Sequence, residues 1–387
     1  MGAAVGRGVA ELLRVSRSAV PQLLSCGAGA GLAAAFNAPL AGLVFVIEEL
    51  HREFSSLTLG GAIVSAVVAT AVSEALLGQA PSFAIHGYPQ LPVNALPLVL
   101  VLGMIGGVVG VVFNQAILRT QSLGFALERF VPRWLHPGLA AAIVVLLAWW
   151  MPDLPGGGHG TAERLLGGQM LTWSVGALAL LMVGKFFATS ISYASGAPGG
   201  VFAPMLLIGA ITGSIFGRGV AHVFPSLSSG AQAFAVLGMA AMFVSSVRAP
   251  LTGVILIAEL TANYEQLFAL VVTAMAAFIV AEALGGHPLY EALLDADLRR
   301  KGLHSREHHD EPESVYLSVQ TGSDIAGKAI RDAGFPAGCL VTSVERGGRT
   351  ILPRATLVLM PGDHVRVLVP PEHPEKATEL VRLCTGL

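Results

Sequence analysis

Two adjacent glutamates, Glu48 and Glu49, end a stretch of sequence, residues 26–47, that contains no Asp, Glu, Lys or Arg. A carboxylate at membrane depth is costly, and carboxylates found there commonly mark an ion or proton pathway. Successive residues on a helix point about 100° apart, so at most one of the two can face a given pathway. The alternative is that both lie at the membrane surface in ion pairs with Arg52, and periodicity alone does not separate the two.

A glycine-rich segment offers a second kind of chemistry. Residues 195–204 read SGAPGGVFAP and directly precede an apolar run, so a helix is expected to begin near Val201. The first N–H groups of a helix have no partner within it and carry a partial positive charge. Buried near the middle of a membrane, the backbone around Gly199, Gly200 and Pro204 would form an anion site without a cationic side chain. The alternative is a glycine-rich kink that serves close helix packing.

The elements that would position these groups are membrane helices. Charged residues make up 12% of the chain and hydrophobic residues 53%, whereas soluble domains average about 25% charged residues. Residues 186–217 contain no charged residue, and neither do residues 219–247. Each run is long enough to cross a bilayer, which requires about 20 apolar residues. Other apolar runs are short or interrupted by Gly and Pro. This is typical of broken helices whose freed backbone groups face protein or a wet cavity. These runs cover residues 57–73, 96–118, 137–151, 173–184 and 267–281.

The chain also contains an internal repeat at an offset of 211 residues. Residues 2–10, GAAVGRGVA, match residues 213–221, GSIFGRGVA, at six of nine positions. Residues 38–50, APLAGLVFVIEEL, match residues 249–261, APLTGVILIAELT, at five of thirteen. Duplications in an apolar chain are typical of transporters built from two related halves, with the substrate site where the halves meet.

The repeat separates the roles of the acidic residues. Glu259 is the counterpart of Glu48, so we expect these two to share a structural role at equivalent helix ends. Glu49 corresponds to Leu260, which singles out Glu49 for a function that the two halves do not share. The second copy has a long lead-in before Gly213 that the first copy lacks, so the chain is expected to start inside its first repeat.

The composition changes near Leu303. Residues 304–314, HSREHHDEPES, are predicted to be a polar linker; three of the eleven are His, so a metal site is the alternative to a solvated segment. Residues 315–387 predict a small α+β domain with a turn at Gly347 and Gly348. Its predicted strands cover residues 315–319, 338–344, 356–359 and 364–369, and its predicted helices cover residues 324–333 and 374–383.

Four segments closely resemble the chloride channel family, CLC, and particularly its bacterial proton–chloride antiporters. They are GAGAGLAAAFNAPLAGLVFVIEEL (27–50), SGAPGGVFAPMLLIGAITG (195–213), VRAPLTGVILIAELT (247–261) and GGHPLY (285–290). The resemblance spans about residues 2–303. It implies a mainly α membrane protein with an inverted repeat of tilted, broken transmembrane helices, followed by the small α+β soluble domain. It also implies a homodimer with one anion pathway per subunit.

The resemblance assigns roles to individual residues. Val201 and Phe202 would donate backbone N–H groups to chloride, with Gly199, Gly200 and Pro204 in the anion-site loop. Tyr290 would donate its hydroxyl, and Glu49 matches the family's intracellular proton-transfer glutamate. The implied function is chloride transport across a membrane, as proton-coupled chloride antiport in the full-length parent. The alternatives are a passive, voltage-gated-type chloride channel and a non-transporting truncated fragment with a ligand-sensing tail. The expected partners are chloride, protons and the lipid bilayer; no enzyme activity, cofactor, metal or nucleic acid is expected.

Two family motifs are absent from the sequence: a Gly-Ser-Gly-Ile-Pro type segment and a Gly-Arg-Glu-Gly-Pro segment. The second would fall just before Met1. We therefore expect residues 1–303 to lack the first helices of the first repeat, and the chain as it stands to form no selective pathway alone.

The tail resembles the TrkA-C regulatory domain of potassium-uptake proteins through residues 323–369, in which Gly362 and Asp363 form a turn before an alternating strand. This resemblance implies a cytosolic module that binds an unknown small ligand, and a passive dimerisation domain is the alternative. The expected location is the bacterial inner membrane, with residues 315–387 in the cytoplasm.

Overall fold

A computed structural model describes residues 1–17, 19–51, 56–78, 83, 91–128, 130–170, 172–197, 199–225, 231–300, 313–370, 373 and 375–385. The chain divides into two compact units, Met1–Leu293 and Leu294–Leu387. Most of the predicted linker, including its three histidines, lies outside the described residues, as does Arg52.

The first unit is built almost entirely from helices. In chain order they are α1 (Gly2–Leu12), α2 (Val20–Phe36), α3 (Pro39–Phe45), α4 (Ser56–Leu77), α5 (Leu96–Leu127), α6 (His136–Trp150), α7 (His159–Leu166), α8 (Val175–Ala194), α9 (Phe202–Val223), α10 (Ala231–Val247), α11 (Pro250–Leu260) and α12 (Leu267–Ala283). A further helix, α13 (Leu289–Arg300), begins in this unit and ends in the second. A π-helical turn, Val46–His51, continues α3.

Within the described residues, five helical segments are long and apolar enough to cross a membrane. They are Thr58–Leu77, Val93–Leu127, Arg133–Trp150, Val175–Ala194 and Phe202–Val223. Shorter apolar helices, such as α2, α11 and α12, accompany them. The combination of spanning and short helices confirms the mainly α, broken-helix membrane fold that the sequence predicts, and the chain is an integral membrane protein.

The centre of the first unit is the pairing of α9 with α10. Every described side chain from Ala233 to Val247 is buried, as expected for a helix that is apolar on all sides. The two helices approach so closely that a Cβ atom on Gly213 would collide with the carbonyl of Phe234. The pair Gly238 and Gly213 shows that this approach is repeated 211 residues earlier, between α1 and α2. A Cβ on Gly238 would meet the backbone N of Gly213 at 2.8 Å, and a Cβ on Gly27 would meet the carbonyl oxygen of Gly2 at 2.5 Å. The sequence repeat is therefore a repeat of structure.

Each copy of the repeat contains a helix break at the equivalent position. Asn37, after α2, has φ 52°, and Arg248, after α10, has φ 72°. Both residues adopt the left-handed region, which ends one helix and redirects the chain into the next. Proline follows two residues later in both copies and begins α3 and α11.

The second unit contains an antiparallel four-stranded sheet and a closing helix. The strands are β1 (Glu313–Ser318), β2 (Leu340–Arg346), β3 (Arg349–Ile351) and β4 (His364–Val369), in the spatial order β1-β4-β2-β3. Gly347 and Gly348, both with positive φ, form the predicted turn between β2 and β3. Helix α14 (Glu375–Thr385) closes the unit over a core that includes Val344, Val365 and Leu380.

Two predictions for this unit are wrong. Residues 324–333 form turns and a short 3₁₀ helix, Ile330–Asp332, instead of an α-helix, and residues 356–359 form a single bridge, Ala329 to Val358, instead of a strand. The two segments form backbone hydrogen bonds with each other. The N–H of Ile330 donates to the carbonyl of Leu357, and the N–H of Leu359 donates to the carbonyl of Lys328. Gly327, within residues 324–333, has a φ of 80°. This left-handed conformation interrupts the helical pattern of that segment.

Candidate functional site

Helix α9 begins where the glycine-rich segment predicts. Phe202 is its first residue and Val201 its N-cap, with Val201 only 3% exposed. The third helical residue is Pro204, which has no N–H. The N–H groups of Val201, Phe202 and Ala203 therefore have no acceptor within the helix.

The backbone before α9 turns at Gly196, which has φ 74°. A Cβ on Gly200 would meet no atom, and one on Gly199 would meet only the carbonyl oxygen of Ala197 at 3.9 Å. These two glycines therefore leave space in front of the helix, while the turn itself depends on Gly196.

A cavity of about 270 Å³ lies at this helix end. Its lining includes the backbone of residues 199–201 together with Lys185, Thr189 and Tyr193 of α8. Lys185 is 1% exposed, and its Nζ donates to the carbonyls of Leu154 at 2.9 Å and Gly156 at 2.6 Å. An ammonium has three N–H donors, so one remains beyond these two bonds. Positive charge and orphan backbone donors thus meet at one cavity.

Aromatic packing fixes the first turn of α9. The ring of Phe202 lies 4.5 Å from that of Phe36 at the end of α2 and 5.5 Å, edge to face, from that of Phe243 on α10. Contacts of this kind hold a ring in one orientation. The side chain of Phe202 therefore anchors the start of α9, whose first N–H groups have no acceptor within the helix.

Tyr290 and Glu49 come from distant parts of the chain, and the charge of Glu49 acts on the Tyr290 hydroxyl. Tyr290 is the second residue of α13 and packs against the main core. It lies within electrostatic range of Glu49 and of Tyr193, which lines the cavity. The predicted proton-transfer residue and the predicted anion ligand therefore belong to one region.

Glu49 lies on the π-helical turn Val46–His51 and is half-buried. Single π-turns within helices often occur at functional sites, because the wider turn changes where the following side chains point. No sequence signal predicted this turn. The neighbouring Glu48 lies on the same turn, and its carboxylate contacts the start of α11.

Glu48 and Glu259 share a structural role, as the repeat predicts, and the structure shows that each caps a helix. The carboxylate of Glu48 accepts from the N–H groups of Leu251 and Thr252 at the start of α11. The carboxylate of Glu259 accepts from the N–H groups of Leu40 and Ala41 at the start of α3. A carboxylate at a helix N-terminus is stabilised by the orphan donors and by the helix dipole. The ion pair with Arg52 falls outside the described residues.

Sequence reasoning missed Lys185 and Tyr193. Lys185 stands alone between two uncharged runs, residues 173–184 and 186–217. An isolated charge within a membrane segment is itself a sign of a functional site. Tyr193 carries no such sign, since only the fold brings it to the cavity.

The described residues contain no group of three or more His, Cys, Asp or Glu side chains that could hold a metal ion. The predicted alternative of a metal site in residues 304–314 rests on histidines outside the described residues.

Comparison with known sequences matches two family profiles. The profile described as voltage gated chloride channel matches residues 1–282, and the profile of the TrkA-C domain matches residues 315–382. Among curated relatives, a protein of Vibrio campbellii named H(+)/Cl(-) exchange transporter ClcA is 39% identical over 79% of this chain. A protein of the same name from Citrobacter koseri is 37% identical over 78% of this chain. The chain spans just under two thirds of these relatives, 66% of the first and 64% of the second.

Comparison with solved structures gives the same fold. The crystal structure of a slow cyanobacterial Cl⁻/H⁺ antiporter superposes with a TM-score of 0.70 at 33% sequence identity. The match covers 78% of this chain and 71% of the cyanobacterial chain.

Proposed function

Since the chain belongs to the voltage gated chloride channel family, we propose that the full-length protein carries out proton-coupled chloride antiport across the membrane. Chloride is the proposed substrate and needs no cofactor. Val201 and Phe202 are the proposed backbone donors to the ion, in a loop formed by Gly199, Gly200 and Pro204, and Tyr290 donates its hydroxyl. Glu49 is the proposed carrier of the proton.

The cavity at the start of α9 supports the choice of an anion. Its donors are backbone N–H groups at a helix N-terminus, where the dipole favours negative charge. The buried amino group of Lys185 adds a basic side chain to the same lining. A cation in this cavity would meet repulsion from both, so the site selects for the sign of the charge.

The observation that carries the proposal of antiport is the electrostatic interaction between Glu49 and Tyr290. A carboxylate can bind and release a proton, and its charge changes when it does so. Because that charge acts on the tyrosine proposed to contact chloride, protonation of Glu49 and occupancy of the anion site are coupled through the same group. A passive chloride channel is the alternative, and it requires no titratable residue at this position.

The oligomeric state of the protein and its location are proposed from its membership of the family. We propose a homodimer in the bacterial inner membrane, each subunit holding its own anion site, with residues 315–387 on the cytoplasmic side. The match to the TrkA-C domain supports a regulatory role for this tail through an unknown small ligand. A passive dimerisation domain is the alternative.

Flux measurements in liposomes test the proposal. With an outward chloride gradient and no proton gradient, the full-length protein is expected to drive protons inward, against their own gradient as acidification proceeds. Chloride flux without proton movement would identify a passive channel and overturn the proposal. Replacement of chloride by gluconate inside the vesicles controls for leak.

A further inference from the structure

The loop between α12 and α13, residues 284–288, lies just before Tyr290 and accepts a hydrogen bond from a buried arginine. Arg248, at the break between α10 and α11, donates to the carbonyl of Gly286 in this loop at 2.8 Å. The same guanidinium donates to the carbonyls of Ala281 at 2.5 Å and Phe278 at 3.1 Å on the last turns of α12. Its side chain is only 7% exposed. Arg248 thus fixes both the end of α12 and the loop that leads to α13.

Asn114 on α5 holds the same loop from a second side. Its amide donates to the carbonyl of His287 at 3.1 Å and to that of Ser246 at 3.0 Å. Ser246 lies two residues before Arg248, so both side chains connect the loop to the same helix break. Asn114 is 3% exposed, and a broken hydrogen bond at such a buried group is costly.

The backbone of Arg248 pays a conformational cost for this arrangement. Its φ of 72° lies in the left-handed region, which is unfavourable for a long side chain. The repeat counterpart, Asn37, has φ 52° but is a residue type that tolerates this region. The first half of the repeat thus avoids backbone strain at this position, whereas the second half keeps a strained arginine. Retained strain of this kind points to a function of the Arg248 side chain. A guanidinium can span three carbonyl groups, which a lysine ammonium on a flexible stem cannot reproduce.

We propose that Arg248, together with Asn114, is a positioning residue that sets the location of the Tyr290 hydroxyl. The held carbonyls lie three and four residues before Tyr290, and Pro288 and the fully buried Leu289 leave little freedom between them. A shift of the loop therefore moves the start of α13 directly. The consequence for chloride rests on the proposed function, whereas the positioning itself does not.

Fluorine NMR of the complete chain labelled with 3-fluorotyrosine tests the positioning. The Tyr290→Phe variant identifies the Tyr290 signal by its loss. Arg248→Gln and, from the other side of the loop, Asn114→Ala are expected to shift or broaden that signal, with Arg248→Lys giving only partial recovery. Glu282→Gln is the matched control: Glu282 pairs with Arg248 at 3.1 Å but is 71% exposed, and its loss leaves the three carbonyl bonds in place. An unchanged Tyr290 signal in folded Arg248→Gln and Asn114→Ala proteins would overturn the proposal.

A double-mutant cycle measured by chloride calorimetry tests the consequence. Arg248→Gln is expected to weaken chloride binding about tenfold, on the order of one hydrogen bond to a charged group, and to change it less than about twofold when Tyr290 is already Phe. An equal loss in both backgrounds would show that Arg248 acts on the fold and not through Tyr290. Absence of chloride binding by the unaltered chain would refute the proposed function, while the fluorine signals would still decide the positioning.

Discussion

Glu48 and Glu259 each cap the helix that belongs to the other's half of the chain. Glu48 accepts from Leu251 N at 3.0 Å and Thr252 N at 2.7 Å, and Glu259 accepts from Leu40 N at 3.0 Å and Ala41 N at 2.7 Å. The donors of the two caps differ by 211 residues, and so do the acceptors. Such a reciprocal pair of contacts is expected of two elements related by a pseudo-two-fold axis. The two halves are joined by these caps beside the π-turn that carries Glu49.

Removing either carboxylate is expected to destabilise the membrane unit. Glu48→Gln and Glu259→Gln each replace a charged cap by a neutral one with a single acceptor oxygen, at an expected loss of about 0.5–2 kcal/mol. Apparent melting temperatures in detergent should fall for both variants. Glu11→Gln is the control, since Glu11 is 66% exposed and pairs only with the exposed Arg7 in the described structure. Melting temperatures equal to that of the control would contradict the cap assignment.

The anion site is expected to depend on the backbone of Val201 more than on its side chain. Val201→Ala should change chloride affinity little, because the N–H remains. Val201→Pro should abolish measurable binding, because proline removes the donor while tolerating the start of a helix. Tyr290→Phe should weaken binding by at least ~0.5–1.5 kcal/mol, the worth of a hydrogen bond. Calorimetry with chloride checks the series, and full affinity in a folded Val201→Pro protein would refute the site.

The tail is expected to lose stability in acid through Asp363. Its buried carboxylate receives two hydrogen bonds of 2.7 Å from Arg346, which hold its pKa below the ordinary value, and one from Met360 N. A depressed pKa contributes stability that is fully present above the unfolded value of about 3.9 and is lost as the pH falls through the folded value. Acid therefore weakens the tail below about pH 4.

Hydrogen exchange of peptides from β2 and β4, measured across this pH range in the complete chain, checks the expectation. Asp363→Asn should speed exchange at neutral pH and remove the added acid sensitivity. Asp332→Asn is the matched control, because Asp332 is exposed and pairs with the exposed Arg331. Acid sensitivity that persists in Asp363→Asn would assign it to another group.

Much of the membrane unit could be predicted because its determinants are local or repeated. Uncharged runs mark the helices, and the start of α9 follows from the glycine-rich segment before it. The repeat predicts the shared role of Glu48 and Glu259 without any knowledge of what they contact. The left-handed break at Arg248 had no local signal, since arginine does not favour that conformation.

The rest depends on contacts between distant segments. The π-turn at Val46–His51, the approach of Tyr193 to the cavity and the hold of Arg248 on the loop before Tyr290 are set by tertiary packing. In the tail, residues 324–333 have helical periodicity, but their backbone groups find partners in residues 355–359. Tertiary partners here override local preference. Strand β3, only three residues long, is implied by the Gly347–Gly348 turn and little else.

The role of Glu49 tests the account most directly. Chloride and proton fluxes should be recorded together in liposomes for the full-length protein and for its Glu49→Gln and Glu48→Gln variants. A glutamine keeps the shape of Glu49 but cannot carry a proton, so Glu49→Gln is expected to retain chloride flux and lose proton movement. Glu48→Gln should keep the two fluxes coupled at whatever level its reduced stability allows. Undiminished proton pumping by Glu49→Gln would contradict the account.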